Sequence, residues 1–120
     1  MRTVLVVEDT LSTLELISTY LRESGYNVIL ATDAKEALIK AVQHKLDAIV
    51  TDVVMPGISG FELCRLLKKN PATEKLPIII CSSKNQEIDK IWGLKQGAEV
   101  YVTKPFTREQ LISAVKSVVA

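Results

Sequence analysis

The stretch from Ala48 to Gly60 reads AIVTDVVMPGISG. A short apolar run typical of a buried strand ends at a single carboxylate, Asp52, and a Pro56-Gly57 turn follows. Aspartate is common at such positions because its side chain can bond to nearby backbone and open an Asx-turn. Asp52 is therefore either a turn former or a reactive group held at the end of a strand.

Short apolar runs alternate with amphipathic segments along all 120 residues. The runs are nearly continuous and rich in Val and Ile, as expected for parallel strands covered on both faces. They are Thr3–Val7, Asn27–Ala31, Asp47–Thr51, Leu76–Cys81 and Glu99–Val102. This alternation predicts a doubly wound α/β domain with a five-stranded parallel sheet, right-handed crossovers and five flanking helices. We expect a single domain over residues 1–120, because this length leaves no room for two cores.

Four of the predicted helices show apolar residues on one face, and a fifth is predicted from Phe61 to Lys69, where Asn70-Pro71 ends it. The apolar positions are Leu14, Ile17 and Leu21; Ala37, Leu38, Ala41 and Val42; Ile88, Ile91 and Trp92; and Leu111, Ile112, Val115 and Val119.

The predicted helix ends carry local signals. Gly25 and Gly97 fall where a helix C-terminus needs positive φ, and Pro77 is expected at the entrance of a strand. Thr107 and Gln110 form a capping box that opens the last helix.

Composition excludes several classes of function. The formal net charge is +1, so no overall field draws the chain to nucleic acid or to an anionic membrane. The N-terminus MRTVLVVED lacks the features of a secretory signal, and no run reaches membrane-spanning length. We expect a cytoplasmic protein without membrane insertion, and without direct nucleic-acid binding because no helix-turn-helix follows the last predicted helix.

The cysteines and the histidine offer no obvious chemistry. Cys64 and Cys81 are too far apart for a C-x-x-C redox or zinc motif, and we interpret them as buried core thiols. His44, the only histidine, is expected on the surface, with no second candidate ligand near it in the sequence.

Polar side chains follow four of the predicted strands. In open parallel sheets ligands bind outside the carboxyl ends of the strands. Each residue alone has a structural interpretation as a helix cap, a turn former or a solvated charge. The residues are Glu8 and Asp9, Asp52, Ser82 and Ser83, and Thr103 and Lys104.

Together these residues predict a metal-assisted phosphoryl-transfer site. Three carboxylates meeting in one cleft repel unless a cation or shared protons neutralise them, and Mg²⁺ takes one or two carboxylates together with phosphate oxygens. Phosphoryl transfer to a carboxylate, with a metal and a lysine stabilising the phosphoryl oxygens, is the chemistry that fits. Asp52 is then the nucleophile.

Four motifs, VVED, IVTDVVMPGISG, PIIICSSK and GAEVYVTKPF, resemble in order and spacing the receiver domain of two-component response regulators, in particular the single-domain chemotaxis type. The resemblance covers essentially the whole chain. It implies the sheet order 2-1-3-4-5, which is established for the chemotaxis receiver. The departures from the family pattern are Glu8 for the commoner Asp, Ser82 for Thr, and Ser83 for Ala or Gly.

The resemblance also implies a role for each residue of the predicted site. Asp52 is the phosphoacceptor; Mg²⁺ is held by Asp9, Asp52, the Val54 backbone carbonyl and, through water, Glu8; Ser82 is the switch hydroxyl; Lys104 contacts the phosphoryl group; Tyr101 is the rotating aromatic; and Lys104-Pro105 is a cis peptide.

Further implications concern the partners. The phosphoryl donor is a sensor histidine kinase or a histidine phosphotransfer protein, and a downstream protein binds the face formed by helix four, strand five and helix five. The chain catalyses only its own phosphorylation and dephosphorylation. The segment DKIWGLKQGAEVYVTKPF resembles stand-alone receivers of chemotaxis-like pathways that control twitching or phototaxis.

Two other functions are weighed against this one. A phosphatase of the haloacid dehalogenase type also uses a strand-end Asp and Mg²⁺, but it needs a second Asp two residues later, where this chain has Val54, and usually a cap domain. A flavodoxin-like binding module needs a Gly- and hydroxyl-rich phosphate loop after strand one. Here that place holds Glu8-Asp9-Thr10-Leu11, whose carboxylates repel phosphate.

Overall fold

The five apolar runs form a single parallel sheet in the computed structural model, which describes residues 1–119. The strands are β1 (Thr3–Val7), β2 (Asn27–Ala31), β3 (Ala48–Thr51), β4 (Ile78–Ser82) and β5 (Val100–Thr103). The sheet order is β2-β1-β3-β4-β5, and all four neighbouring pairs are parallel. The predicted fold class and strand order are confirmed.

Five helices connect and flank the strands. They are α1 (Leu11–Glu23), α2 (Ala34–Gln43), α3 (Gly60–Lys69), α4 (Glu87–Lys95) and α5 (Arg108–Val118). The predicted capping box opens α5, where Thr107 accepts from the Gln110 N–H and Gln110 accepts from the Thr107 N–H. Gly25 and Gly97 have φ values of 92° and 112°, as predicted for residues that follow a helix.

Five boundaries in three strands differ from the prediction, and two of them are the ends of β4 and β5, which lie one residue later than predicted, at Ser82 and Thr103. β4 begins at Ile78 rather than Leu76, because Pro77 has no N–H to donate to the ladder. β3 and β5 each begin one residue later than predicted, at Ala48 and Val100.

Apolar side chains fill both faces of the sheet, as two-sided coverage requires. In β1, Val4 and Val6 join the core under α1 and α5, whereas Leu5 and Val7 join the core under α2 and α3. This division follows from the period of two in a strand.

The cysteines and the histidine lie where the sequence places them. Cys64 and Cys81 are buried free thiols, and burial raises the pKa of each to about 12. His44 is exposed. Across residues 1–119, no helix has the length and apolar character needed to cross a bilayer.

Two of the predicted apolar stripes lie on helices, as expected, but are partly or wholly exposed. α2 buries Ala34, Ala37 and Ala41, while Val42 is exposed. In α4 the residues Ile88, Ile91 and Trp92 are all exposed, and Gly93 is the buried residue. Periodicity identifies residues that share a face, but the tertiary neighbours decide whether that face points inward.

Candidate functional site

The carboxyl ends of β1, β3 and β5 bring Glu8, Asp52 and Lys104 together. Each residue continues the backbone ladder by one hydrogen bond beyond its strand: the Glu8 N–H bonds to the Ala31 carbonyl at 3.0 Å, the Asp52 N–H to Val7 at 3.1 Å and the Lys104 N–H to Ser82 at 2.8 Å. The backbone of the sheet therefore fixes where these three side chains begin.

The Lys104 ammonium lies between two carboxylates. Its Nζ is 3.1 Å from Glu8 Oε2 and 3.2 Å from Asp52 Oδ2. Burial raises the pKa of Glu8, and the nearby Asp52 charge adds to the rise while Lys104 opposes it. Burial also acts to lower the pKa of Lys104, but its bonds to the two carboxylates outweigh this effect and raise it. One ammonium is thus shared by two acidic groups.

A third carboxylate, Asp9, completes an acidic cluster. One oxygen each from Glu8, Asp9 and Asp52 lies within 4.8 Å of the others, and Asp9 is exposed to solvent. An all-oxygen cluster with one solvent-facing member fits a hard cation such as Mg²⁺, which keeps several of its waters. The side chain of Val54 is 58% exposed, and the role of its carbonyl as a ligand stays a prediction.

The two oxygens of Asp52 have different partners, so a turn contact does not use up the whole carboxylate. Oδ1 accepts a 2.6 Å hydrogen bond from the Val53 N–H, which is a local turn contact. Oδ2 faces Lys104. The turn contact orients the carboxylate and leaves the second oxygen in the charged cleft.

Two residues that support Asp52 were missed from the sequence. Gly60 lies so close to the Asp52 backbone that a β-carbon there would be 1.9 Å from the Asp52 carbonyl oxygen. The Thr51 hydroxyl donates to the same oxygen at 2.9 Å. A glycine as the first residue of a helix is a weak signal of such an approach, whereas nothing in the sequence singles out Thr51.

Ser82 ends β4 and is fully buried, and its Oγ accepts from the Lys84 N–H at 3.2 Å. Ser82 and Ser83 do not cap α4, because its N-cap is Gln86. The Tyr101 hydroxyl donates to the Lys84 carbonyl at 2.7 Å. Burial raises the pKa of Tyr101, and the nearby Ser82 hydroxyl opposes this rise. The Lys104–Pro105 peptide bond is cis.

A family model described as "Response regulator receiver domain" matches residues 4–116. The chain belongs to this family. Its relatives include the protein PilH of Pseudomonas aeruginosa, which is 37% identical over 120 residues, covering 100% of this chain and 99% of that one. The PhoP transcriptional regulatory protein of alkaline phosphatase synthesis in Bacillus subtilis is 41% identical, but the match covers 96% of this chain and only 47% of PhoP.

Solved structures give the same result for the fold. The chemotaxis response regulator CheY4 of Vibrio cholerae superposes with a TM-score of 0.92 at 33% identity, covering 99% of both chains. A response regulator from Chloroflexus aurantiacus reaches 0.94 at 35% identity, covering 98% of this chain and 96% of that one. The receiver domain described here is thus a phosphorelay signalling module, and neither the phosphatase nor the flavodoxin-like alternative finds support among these relatives.

Proposed function

We propose that Asp52 of this receiver accepts a phosphoryl group from a histidine kinase, a histidine phosphotransfer protein or a small phosphodonor. The observation that carries the proposal is the Lys104 ammonium, held 3.1 Å from Glu8 and 3.2 Å from Asp52. A cation at this distance from the Asp52 oxygen is in place to contact a phosphoryl group attached to that oxygen. The single receiver domain is taken to extend over residues 1–120.

In the proposed reaction a carboxylate oxygen of Asp52 forms the new bond to phosphorus as the bond between phosphorus and the donor breaks. The leaving group keeps the electron pair of the broken bond. Charge on the equatorial phosphoryl oxygens is stabilised by Lys104 and by a hydrogen bond from the Ser82 hydroxyl. The domain catalyses this transfer and the later hydrolysis of its own acyl phosphate, and no separate substrate is turned over.

The acidic cluster supplies the residues for a metal. Asp9, Asp52 and the Val54 carbonyl would hold Mg²⁺ directly, and Glu8 would do so through water. When bound, Mg²⁺ neutralises the carboxylates and the incoming phosphoryl oxygens. The ion pair between Glu8 and Lys104 would keep Lys104 oriented while Asp52 reacts.

Output is proposed to pass through the face of α4, β5 and α5 to a downstream protein. Exposed apolar side chains on α4 support a protein-binding role for this face, because contiguous exposed apolar surface is characteristic of interaction sites. Control of twitching or phototaxis remains a proposal, as does the cytoplasmic location, and the likeness to PilH over nearly the full length of both chains is what supports the choice of pathway.

The test is intact-mass measurement after incubation with acetyl phosphate. We expect the parent to gain one phosphoryl group with Mg²⁺ and none with EDTA, and Asp52→Asn to gain none in either case. Asp47→Asn is the matched control, since Asp47 also flanks β3 and its Oδ2 accepts the Thr3 N–H at the opposite end of the sheet. It should label as the parent does. Equal labelling of Asp52→Asn and the parent would show that the phosphoacceptor lies elsewhere.

A further inference from the structure

α4 is held against the sheet in an unusual way. Gly93 is its only buried residue, whereas its large apolar side chains are between 44% and 63% exposed. The exposed residues are Ile88, Ile91, Trp92 and Leu94. The helix therefore meets the sheet through a residue that has no side chain.

The space that a side chain at position 93 would need is filled from the sheet. A β-carbon on Gly93 would lie 2.9 Å from Ile80 Cδ1 and 3.0 and 3.2 Å from Cδ2 and Cε2 of the Tyr101 ring. These distances are shorter than the roughly 3.5–4.0 Å at which carbon atoms make favourable contact. The Ile80 methyl is the end of a flexible side chain and can move aside. The aromatic ring is rigid, so relief there requires the whole ring to move.

Tyr101 and Ser82 also meet at a shared peptide segment. The Lys84 N–H donates to Ser82 Oγ at 3.2 Å, and the Lys84 carbonyl accepts from the Tyr101 hydroxyl at 2.7 Å. If Ser82 Oγ turned away, the Lys84 N–H would lose this acceptor, and the segment that accepts from Tyr101 would lose one of its bonds. The structure therefore connects Ser82 to the ring beneath α4 through the backbone of Lys84.

We propose that Gly93 determines whether this receiver can switch, because the missing side chain at position 93 is what admits the Tyr101 ring beneath α4. Gly93 is then a positioning residue for signal output. It does not act on the phosphoryl group. The inference rests on the proposed function, since it names the element through which a phosphorylated Asp52 would reshape the α4 face.

The first test follows Tyr101 directly in protein labelled with 3-fluorotyrosine. The chain has three tyrosines, and the Tyr101 fluorine signal is assigned by its absence from Tyr101→Phe. In Gly93→Ala we expect the population with Tyr101 beneath α4 to fall roughly tenfold, because overpacking a filled contact is strongly unfavourable. Leu94→Ala, at the next position and exposed, should leave the signal unchanged. A Gly93→Ala spectrum identical to the parent spectrum overturns the inference.

The second test separates this inference from the proposed function. With beryllofluoride and Mg²⁺ as the phosphoryl mimic, the fluorescence of Trp92, the only tryptophan, should respond in the parent and respond several-fold less in Gly93→Ala. Labelling of Asp52 by acetyl phosphate should remain within about twofold of the parent, because Gly93 does not touch Asp52. Normal labelling with a full Trp92 response in the variant defeats only the inference. Absence of labelling in the parent defeats the proposed function.

A thermodynamic cycle covers the case in which Gly93→Ala is poorly folded. Replacing glycine by alanine inside a helix normally raises stability. In a Tyr101→Ala background, where the ring is absent, Gly93→Ala should therefore raise the thermal midpoint, whereas in the parent it should lower it or leave it unchanged. Equal shifts in the two backgrounds show that Gly93 and the ring do not compete for space and contradict the proposal.

Discussion

The two ends of the parallel sheet both carry charged side chains, but the charges are matched differently. At the amino ends, each carboxylate has a backbone partner: Glu99 Oε2 accepts the Ile78 N–H at 2.6 Å, and Asp47 Oδ2 accepts the Thr3 N–H at 2.8 Å. Glu99 also pairs with Lys68 at 2.9 Å. These carboxylates complete the ladder where strands begin.

At the carboxyl ends the charges are not matched in number. Glu8, Asp9 and Asp52 lie together, and Lys104 is the one cation that forms an ion pair with them among residues 1–119. The cluster costs stability unless a further cation joins it. One end of this sheet is built for stability, whereas the other keeps an unbalanced negative charge that a bound cation would neutralise.

The largest effect is expected at the amino end, for Glu99→Ala. The substitution leaves the Ile78 N–H without its acceptor and Lys68 without its ion-pair partner, so we expect the free energy of unfolding to fall by about 2 kcal/mol. Urea denaturation measures the loss. Glu99→Gln can still accept the N–H and should lose less, and Glu74→Ala, at an exposed site in the loop before β4, should be close to neutral. A loss below about 0.5 kcal/mol for Glu99→Ala would mean that water replaces the carboxylate without cost.

The role of Glu99 shows where prediction from sequence stops. The carboxyl-end residues could be found because each follows an apolar run, and parallel strands place their carboxyl ends at one edge. Glu99 bonds to a backbone N–H that is 21 positions away in the chain, and no local pattern records such a bond. Gly60 was missed for the same reason, because its close approach to the Asp52 carbonyl exists only in the folded chain.

The α4 stripe shows a different limit. The spacing of Ile88, Ile91 and Trp92 correctly indicates a helix with an apolar face, but that face is exposed. The buried residue of α4 is Gly93, and the Ile80 methyl and the Tyr101 ring occupy the space that a side chain there would need. Hydrophobic periodicity predicts which residues share a face of a helix, but core packing also requires that the sheet below leaves room for the side chains.

An effect of intermediate size is expected at the carboxyl end, for Asp9→Asn. Removing one of three like charges should raise the free energy of unfolding without metal by about 1 kcal/mol, the scale of two charges about 4 Å apart in water. The same variant should lose most of the stabilisation that Mg²⁺ gives the parent. Thermal unfolding in EDTA and in excess Mg²⁺ measures both effects.

Asp47→Asn is the control for Asp9→Asn because it removes the same charge at the amino end. Since Asp47 accepts the Thr3 N–H, this variant should lose stability or keep it, and its response to Mg²⁺ should equal that of the parent. If Asp9→Asn is instead less stable than the parent in EDTA, Asp9 has a structural role and the two ends of the sheet do not differ as described.

The smallest effect is expected in the pH dependence of the free energy of unfolding. This dependence should have opposite signs for Glu8, whose pKa is raised, and Glu36, whose pKa is lowered. Burial raises the pKa of Glu8 above its ordinary value of 4.5, so the folded state holds this proton more tightly than the unfolded state. The stability that Glu8 contributes is therefore fully present below pH 4.5 and is lost as pH rises through the folded-state pKa. In metal-free buffer, Glu8→Gln should not show this loss, and its stability should fall less steeply with rising pH than that of the parent.

Glu36 is the comparison of opposite sign, since the hydrogen bond from the Thr32 N–H at 2.7 Å lowers its pKa below 4.5. Its contribution is present above pH 4.5 and is lost as pH falls through its folded-state pKa, so Glu36→Gln should differ from the parent only in how stability declines on the acid side. Denaturant unfolding at pH values below and above 4.5 measures how the free energy of unfolding changes with pH in each variant and in the parent. If Glu8→Gln and Glu36→Gln change the pH dependence of stability in the same direction, the charge of Glu8 is no less favourable in the folded state than that of Glu36. The contrast between matched and unmatched charge then does not hold for Glu8.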